Sequence, residues 1–355
     1  MNIQTQLFIR WRGIIFITIL IKIILILFSA AANPHSTSDI LSLWIHWDGP
    51  HYIDIAKNWY QTTGDPINFI VFYPLYPILI KISNIAFGNF NLSAIIISCI
   101  FSISASVFLY ELVLLDFNKR VALLSVWFLN IFPTAYFLQA AYTESLFLTT
   151  SLATLYFYRK RSFIKSGLIG AFASMTRING ILLLPIFLME SKNLGKNFIA
   201  LLLTPVGFFI YLLINLIIFN DPLYFSKILS LHWYKQLAWP WISIRNLINF
   251  YPNQTGDYYY LFLAELITIF LLAIVTILVY IKVRKSYGIY MFLNLLLFTS
   301  TSFIMSTPRY ALVLFPIFIL LAIINNKFLL ALISTISLLL LFLLTYQYTQ
   351  GRWAF

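Results

Sequence analysis

Long apolar runs decide what this chain can become. Residues 13–32, 91–114 and 197–219 are almost wholly apolar, and each matches the roughly 20 residues a helix needs to cross a bilayer core. Runs at 121–138, 142–158, 258–281, 287–305, 309–325 and 327–345 bring the expected spans to nine. Helices are expected throughout, because lipid offers no water to unpaired backbone groups. A water-soluble enzyme is excluded: 61% of the 355 residues are hydrophobic and 10% charged, whereas soluble domains carry about 25% charged residues. Disorder is excluded by the same hydrophobicity. The first run follows Arg10 and Arg12 as a signal peptide would, but its length and the weak site Ala30-Ala31-Ala32 predict a retained helix.

The net charge of +12 would suggest nucleic acid in a soluble protein. Here the bases lie between apolar runs, so they speak of orientation in a membrane instead. The ambiguous stretch is 164–190, too long for one plain helix and interrupted by Arg177, Asn179 and Gly180. If it is a broken hairpin, the clusters Arg10/Arg12, Lys119/Arg120, Arg159-Lys160-Arg161 with Lys165, Lys192/Lys196, Lys282-Arg284-Lys285 and Lys327 all face the cytoplasm. That arrangement puts 14 Lys and Arg inside and 7 outside, with Lys22 and Arg177 within spans. A single crossing would scatter these clusters, so the positive-inside rule favours the hairpin. The N-terminus is then cytoplasmic and the C-terminus external.

This topology leaves two long external segments, 33–90 and 220–257, in one membrane domain spanning 1–355. Seven of the 11 acids fall outside (Asp39, Asp48, Asp54, Asp65, Glu144, Asp221 and Asp257), as do His35, His46, His51 and His232. Acids carry little weight in topology, so their clustering asks for chemistry on that face. Cys99, the single cysteine, lies in an apolar run and has no intramolecular partner. No fixed-period repeat, low-complexity linker or inverted repeat is visible.

The external segment beginning Trp44-Ile45-His46-Trp47-Asp48-Gly49-Pro50-His51-Tyr52 reads as a short helix, with Pro50 in its first turn and Asp48 or Gly49 as cap. Tyr52, Ile53, Ala56, Trp59 and Tyr60 share one face; Asp54, Lys57, Asn58 and Gln61 share the other. Too short to span, such a helix suits the membrane interface. Asp48 is then an N-cap, or a general base facing a lipid-linked substrate, or a metal ligand with His46 and His51. The Phe72–Pro77 stretch, with Pro74 and Pro77 three apart, reads as a kinked structural element.

Four further places carry polar groups at membrane depth. Glu144 opens a span, where a carboxylate suits the helix dipole and is also a site candidate. Arg177, beside Asn179, pairs either with a phosphate or with carbonyls that hold the hairpin. Arg309, followed by Tyr310, is either a bidentate phosphate ligand or a snorkelling helix-end arginine. His232 and Trp233, near Lys235, Trp239 and Trp241, form a basic aromatic segment that suits sugar faces or headgroups. No P-loop, HExxH, CxxC pair or Gly-rich dinucleotide turn is present. A transporter or flippase for lipid-linked sugars is the alternative to an enzyme. It would place paired ionisable groups at mid-membrane, where only Lys22 and Arg177 are expected.

Taken together, the motifs resemble the PIG-V-like mannosyltransferases, relatives of GPI mannosyltransferase 2 in the GT-C superfamily. The pieces are Trp47-Asp48-Gly49 with Tyr52, Ile55 and Ala56; Tyr73-Pro74-Leu75-Tyr76-Pro77; Phe132-Pro133 followed by Tyr142-Thr143-Glu144-Ser145; Thr176-Arg177 with Asn179-Gly180; Pro308-Arg309-Tyr310 with Phe315-Pro316; and Gly351-Arg352-Trp353-Ala354. The resemblance implies an all-α GT-C bundle of about 9–11 membrane helices. It also implies an inverting transfer of mannose, or a similar hexose, from a polyprenyl- or dolichyl-phosphate donor to a glycolipid or glycan acceptor on the external face. Asp48 occupies the place of the catalytic aspartate. Arg309, then Arg177, would meet the phosphate, and Trp47 and Tyr52 would shape the sugar pocket. His51, Glu144, Asn179, His232, Trp233 and Tyr310 complete the expected substrate-binding set. The scheme calls for no metal, no cofactor and no nucleic acid. The chain's length and the absence of an endoplasmic-reticulum retention signal point to a bacterial or archaeal plasma membrane, with the endoplasmic reticulum as the eukaryotic counterpart.

Overall fold

A computed structural model of the chain describes residues 3–34, 39–191, 194–250 and 257–355, which leaves His35 and Lys192 outside the described residues. The architecture is helical throughout, with an isolated antiparallel bridge between Leu237 and Thr301. The chain begins with α1 (Ile3–Ala32). The first external segment folds into a 3-10 turn (Ile40–Trp44), α2 (Asp48–Asn58), a second 3-10 turn (Asp65–Val71) and α3 (Leu75–Phe87). Next come α4 (Phe90–Val113), α5 (Lys119–Asn130), a 3-10 turn (Ala135–Leu138), α6 (Glu144–Arg159) and α7 (Phe163–Thr176). A 3-10 turn (Ile178–Leu183) leads to α8 (Leu184–Glu190), α9 (Leu194–Leu203) and α10 (Val206–Phe219). Then α11 (Tyr224–His232) and α12 (Pro240–Phe250) make the second external segment, before α13 (Asp257–Lys282) and α14 (Lys285–Thr299). The short α15 (Thr307–Leu312) and α16 (Pro316–Ala322) precede α17 (Lys327–Thr349).

Local chemistry sets these boundaries. Asn89, Asn118 and Asn326 cap α4, α5 and α17, each accepting from a backbone N–H two residues into its helix at 3.0–3.1 Å, as a short amide side chain does best. Five helices among the described residues are long and apolar enough to cross a membrane alone: α1, α4, the continuous α9–α10 pair, α13 and α17. The expected spans 121–138, 142–158, 287–305 and 309–325 appear as shorter or broken helices. Two of the interruptions fall at proline: Pro133 follows α5, and Pro316 starts a new helix instead of continuing α15, because proline lacks the N–H that a helix interior needs.

Helix α6 is the central strut. Nearly every residue from Glu144 to Leu155 is buried, so it packs all round instead of along one face. Two of its hydroxyls bond within the bundle: Thr150 donates to Leu146 O at 2.8 Å and Thr149 donates to Phe101 O at 2.5 Å. At about 1.5 Å rise per residue, Glu144 and Arg159 stand roughly 22 Å apart at opposite ends.

The 164–190 stretch is the predicted hairpin. It leaves the Arg159 end of α6, breaks at Arg177 and comes back: Tyr158 stacks on Phe187 at 4.3 Å and donates to its carbonyl at 2.7 Å. Gly180 lets the returning limb lie on the first, since a Cβ there would stand 2.3 Å from Ser174 N. At the closing end, Asp116 accepts from Arg159 and Arg284, each at 2.6 Å, while Glu190 accepts from Arg284 at 3.1 Å and Ser286 at 2.8 Å. Burial alone would raise the Asp116 carboxyl, but the two guanidiniums outweigh it and hold it below the usual carboxylate range. Arg10 and Trp11 join Glu111, a few residues before Asp116 in the chain, whereas Trp353 packs on Trp47 beside Asp48.

The amphipathic helix around residue 50 forms as expected, but its apolar face turns inward. Tyr52, Ile53, Ala56 and Tyr60 are buried against Ile70, Phe72, Leu75, Tyr76 and Ile80, so protein takes the place foreseen for the lipid interface. The kink at Pro74 is sharp: the turn Asp65–Val71 and α3 meet at 110°.

Candidate active site

Asp48 is the first residue of α2 and follows Trp47, whose backbone is left-handed at φ 56°. A tryptophan holds that conformation only where its surroundings impose it. Here Asp48 N–H donates to Tyr142 Oη at 3.2 Å, and that hydroxyl donates to His46 O at 3.0 Å. Trp47 meets Trp353 edge-on at 4.9 Å. The carboxylate does not cap its helix. It accepts from Arg309 Nη1 at 2.8 Å instead.

Arg309 reaches Asp48 from the far end of the sequence. It sits in α15 after a second left-handed residue, Ser306, at φ 70°. The backbone there is fixed by Glu265 of α13, a buried acid that accepts from Ser306 N–H at 2.5 Å and Thr307 N–H at 2.8 Å. The Arg309 guanidinium carbon lies 5.2–5.5 Å from the ring centres of Tyr142, Tyr310 and Phe137, a favourable surface for a cation short of water.

Glu144 ties both arginines together. Fully buried at the first turn of α6, it pairs through Oε1 with Arg177 Nη2 and stands 3.4 Å from Arg309 Nε. Its Oε2 has no hydrogen-bond partner, and neither has Arg309 Nε. Arg177, at the tip of the hairpin, also donates to Thr143 Oγ1 at 2.8 Å. Two acids and two guanidiniums thus share a partly dry pocket with no net charge, with side-chain exposures of 19% for Asp48, 0% for Glu144, 14% for Arg177 and 10% for Arg309.

The remaining predicted residues divide. His51 packs on Phe69 at 4.3 Å, Phe72 at 5.3 Å and Trp233 at 6.4 Å, an aromatic patch one turn beyond Asp48. Tyr52 lies under it against Phe72 and Tyr76. Tyr310 stacks on Phe298 at 4.9 Å, and its hydroxyl accepts from Lys235 at 3.3 Å, which brings the second external segment to the site. Asn179 bonds Asn294 at 2.6 Å inside the bundle, just past Arg177 in the chain. His232 stays exposed in the last turn of α11 and belongs to the surface. Burial lowers both His46 and His51, although Asp48 and Asp54 partly oppose it at His51. His46 faces Tyr348 at 5.3 Å. Among the described residues no three His, Cys, Asp or Glu side chains converge as a metal site, so His46, Asp48 and His51 are not the ligand trio their spacing allowed.

Sequence reasoning missed Glu265, although an acid within the 258–281 run was itself a signal. It also counted Lys22 and Arg177 as the ionisable groups within spans, yet Glu111 and Glu265 lie in α4 and α13.

Beside the charged pocket opens an apolar cavity of about 690 Å³, lined among others by Thr134, Tyr260, Leu272, Pro308, Leu343 and Trp353. Pro308 and Trp353 link the two spaces: one precedes Arg309, the other touches Trp47.

Comparison with known proteins agrees with this picture. The model of the dolichyl-phosphate-mannose-protein mannosyltransferase family matches residues 73–225. GPI mannosyltransferase 2 of Drosophila melanogaster is 26% identical over 171 residues, covering 43% of this chain and 37% of that protein. Among solved structures, ArnT from Cupriavidus metallidurans bound to undecaprenyl phosphate superposes with a TM-score of 0.56 at 14% identity, over 90% of this chain and 62% of that one. The chain therefore spans less than two thirds of either relative. The chain is thus a multi-pass membrane protein with the helical fold of ArnT, and part of its sequence is similar to mannosyltransferases.

Proposed function

We infer that this chain is a glycosyltransferase that moves a hexose, mannose by the resemblance, from a polyprenyl- or dolichyl-phosphate donor to a glycolipid or glycan hydroxyl on the extracytoplasmic face. The observation that carries this reading is the juxtaposition of three things: the Asp48 carboxylate, the Arg177–Glu144–Arg309 cluster and the apolar cavity beside Pro308. Together they suit the three parts of such a donor. The prenyl chain is the apolar part, as the undecaprenyl phosphate carried by the similar ArnT structure illustrates for that protein. Its phosphate is doubly anionic once released and matches two guanidiniums. The sugar would lie between them and the aromatic patch of His51, Phe69 and Trp233, with Tyr52 beneath it and Trp47 beside Asp48.

The chemistry follows from these positions. The acceptor hydroxyl gives its proton to Asp48 as its oxygen attacks the anomeric carbon. The bond from that carbon to the phosphate oxygen breaks, and the extra charge on the leaving polyprenyl phosphate is stabilised by arginine. One displacement inverts the anomeric centre. Positive-inside bias in the basic clusters supports an extracytoplasmic site, and the packing of the described helices into one bundle supports a single domain over 1–355.

The deciding experiment is transfer from radiolabelled polyprenyl-phosphate-mannose in membranes containing the protein. Asp48→Asn is expected to lower transfer by at least about 100-fold, the range for a general base, with unchanged protein level. Transfer near the unaltered rate would remove Asp48 as the base.

A further inference from the structure

We propose that the donor's phosphate switches the base on: Arg309 holds Asp48 before the lipid donor docks and exchanges that carboxylate for the phosphate when it does. The inference rests on the lipid-phosphate reading above and deepens it.

The geometry of the four-charge pocket points this way. Arg309 holds Oδ2 of Asp48 at 2.8 Å, and a cation on one oxygen withdraws charge from the whole carboxylate, so even a proton facing Oδ1 meets a weaker base. The same guanidinium is the charged group set closest to the base, so the two expected roles compete for one side chain. Arg309 is fitted for exchange. Among the described residues its polar contacts are Nη1 on Asp48 and Nε 3.4 Å from Glu144, and Nε makes no hydrogen bond. Three aromatic faces hold its centre within 5.5 Å, so a turn of the planar head leaves its apolar support in place. Its backbone is pinned by Glu265 on Ser306 and Thr307, which confines any movement to the side chain. The exchange is close to isoelectric for the arginine, since one anion replaces another. Without the phosphate, release of Asp48 would leave a guanidinium that is 10% exposed with Glu144 at 3.4 Å, an anion it shares with Arg177, a costly arrangement. With the phosphate, the carboxylate is freed when there is a sugar to transfer. Arg177 stays on Glu144 and Thr143 throughout and offers the second positive charge.

The test is a double-mutant cycle read by the binding of undecaprenyl phosphate to the purified full chain in detergent. If Asp48 and the phosphate compete for Arg309, Asp48→Asn binds the lipid phosphate tighter than the unaltered protein. About fivefold is expected, the size of a partly exposed ion pair, and the gain disappears on an Arg309→Met background. A gain that persists on that background means simple repulsion between Asp48 and phosphate, and overturns the exchange. Unchanged or weaker binding by Asp48→Asn, with binding still weakened by Arg309→Met, also overturns the exchange but leaves the proposed function standing. Absence of binding by the unaltered protein removes the lipid-phosphate reading and the switch with it. Since the expected signal is a gain, a misfolded variant cannot imitate it.

Discussion

The two ends of α6 carry charge clusters of the same composition and opposite character. At the Arg159 end, two acids and two arginines are saturated: both oxygens of Asp116 are bridged, and Glu190 meets Arg284, Ser286 and, at 3.8 Å, Arg159. At the Glu144 end, two acids and two arginines leave slack. Glu144 Oε2 and Arg309 Nε have no hydrogen bond. A satisfied network fixes geometry. In the proposed reading, the unmet hydrogen-bonding capacity of this dry pocket is what the donor lipid fills. Composition alone does not separate a clamp from a site; the accounting of each oxygen and N–H does.

Substitution at matched positions would break or sharpen this contrast. Glu144→Gln is expected to lower sugar transfer per folded molecule about 100-fold, the effect of losing the alignment of a reacting group, and also to lower the melting temperature in detergent, since two buried guanidiniums lose their shared anion. Glu190→Gln should lower the melting temperature but leave transfer per folded molecule unchanged. Equal effects on both quantities at both ends would erase the distinction. A smaller loss, about tenfold, is expected for Glu265→Gln, because one of the two N–H groups that fix the start of α15 loses its acceptor. Transfer assays on membranes measure it, and unaltered transfer would detach Glu265 from the positioning of Arg309.

The smallest effect is on acid stability at the clamp. Asp116 is held below its usual range, so the unfolded chain binds more protons than the folded one as acidity rises. The stabilisation it gives is present above about pH 4 and is lost as pH falls through its folded value. The stability difference between the unaltered protein and Asp116→Asn should therefore shrink below about pH 4. Thermal unfolding in detergent as a function of pH reads it, and a difference independent of pH would remove the linkage.

Much of this was legible in the sequence because it depends on local pattern. Apolar run length gave the long helices, and Pro50 and the alternating faces gave α2. Basic clusters gave the returning hairpin at 164–190. Arg177 stood out as a charge where charge is costly, Asp48 at the start of an external amphipathic helix, and Glu144 and Arg309 at the ends of expected spans. What could not be read is pairing across distance. Asp48 and Arg309 are 261 residues apart, and no periodicity announces that they meet. Burial of the Tyr52 face against α3 was hidden for the same reason, since an aromatic stripe suits lipid and protein equally. The ends of the shorter helices depended on prolines whose effect is local but whose packing is not.

The hairpin's most far-reaching consequence is one of parity. An excursion that dips in and comes back counts as zero crossings, so every later segment keeps the sidedness it would have had without it. Were 164–190 a single traverse, the segment bearing Arg309 would emerge on the opposite surface from Asp48, with a bilayer between an acid and the cation that touches it. One turn of backbone at Arg177 thereby decides whether the two halves of the chain can share a reaction centre at all.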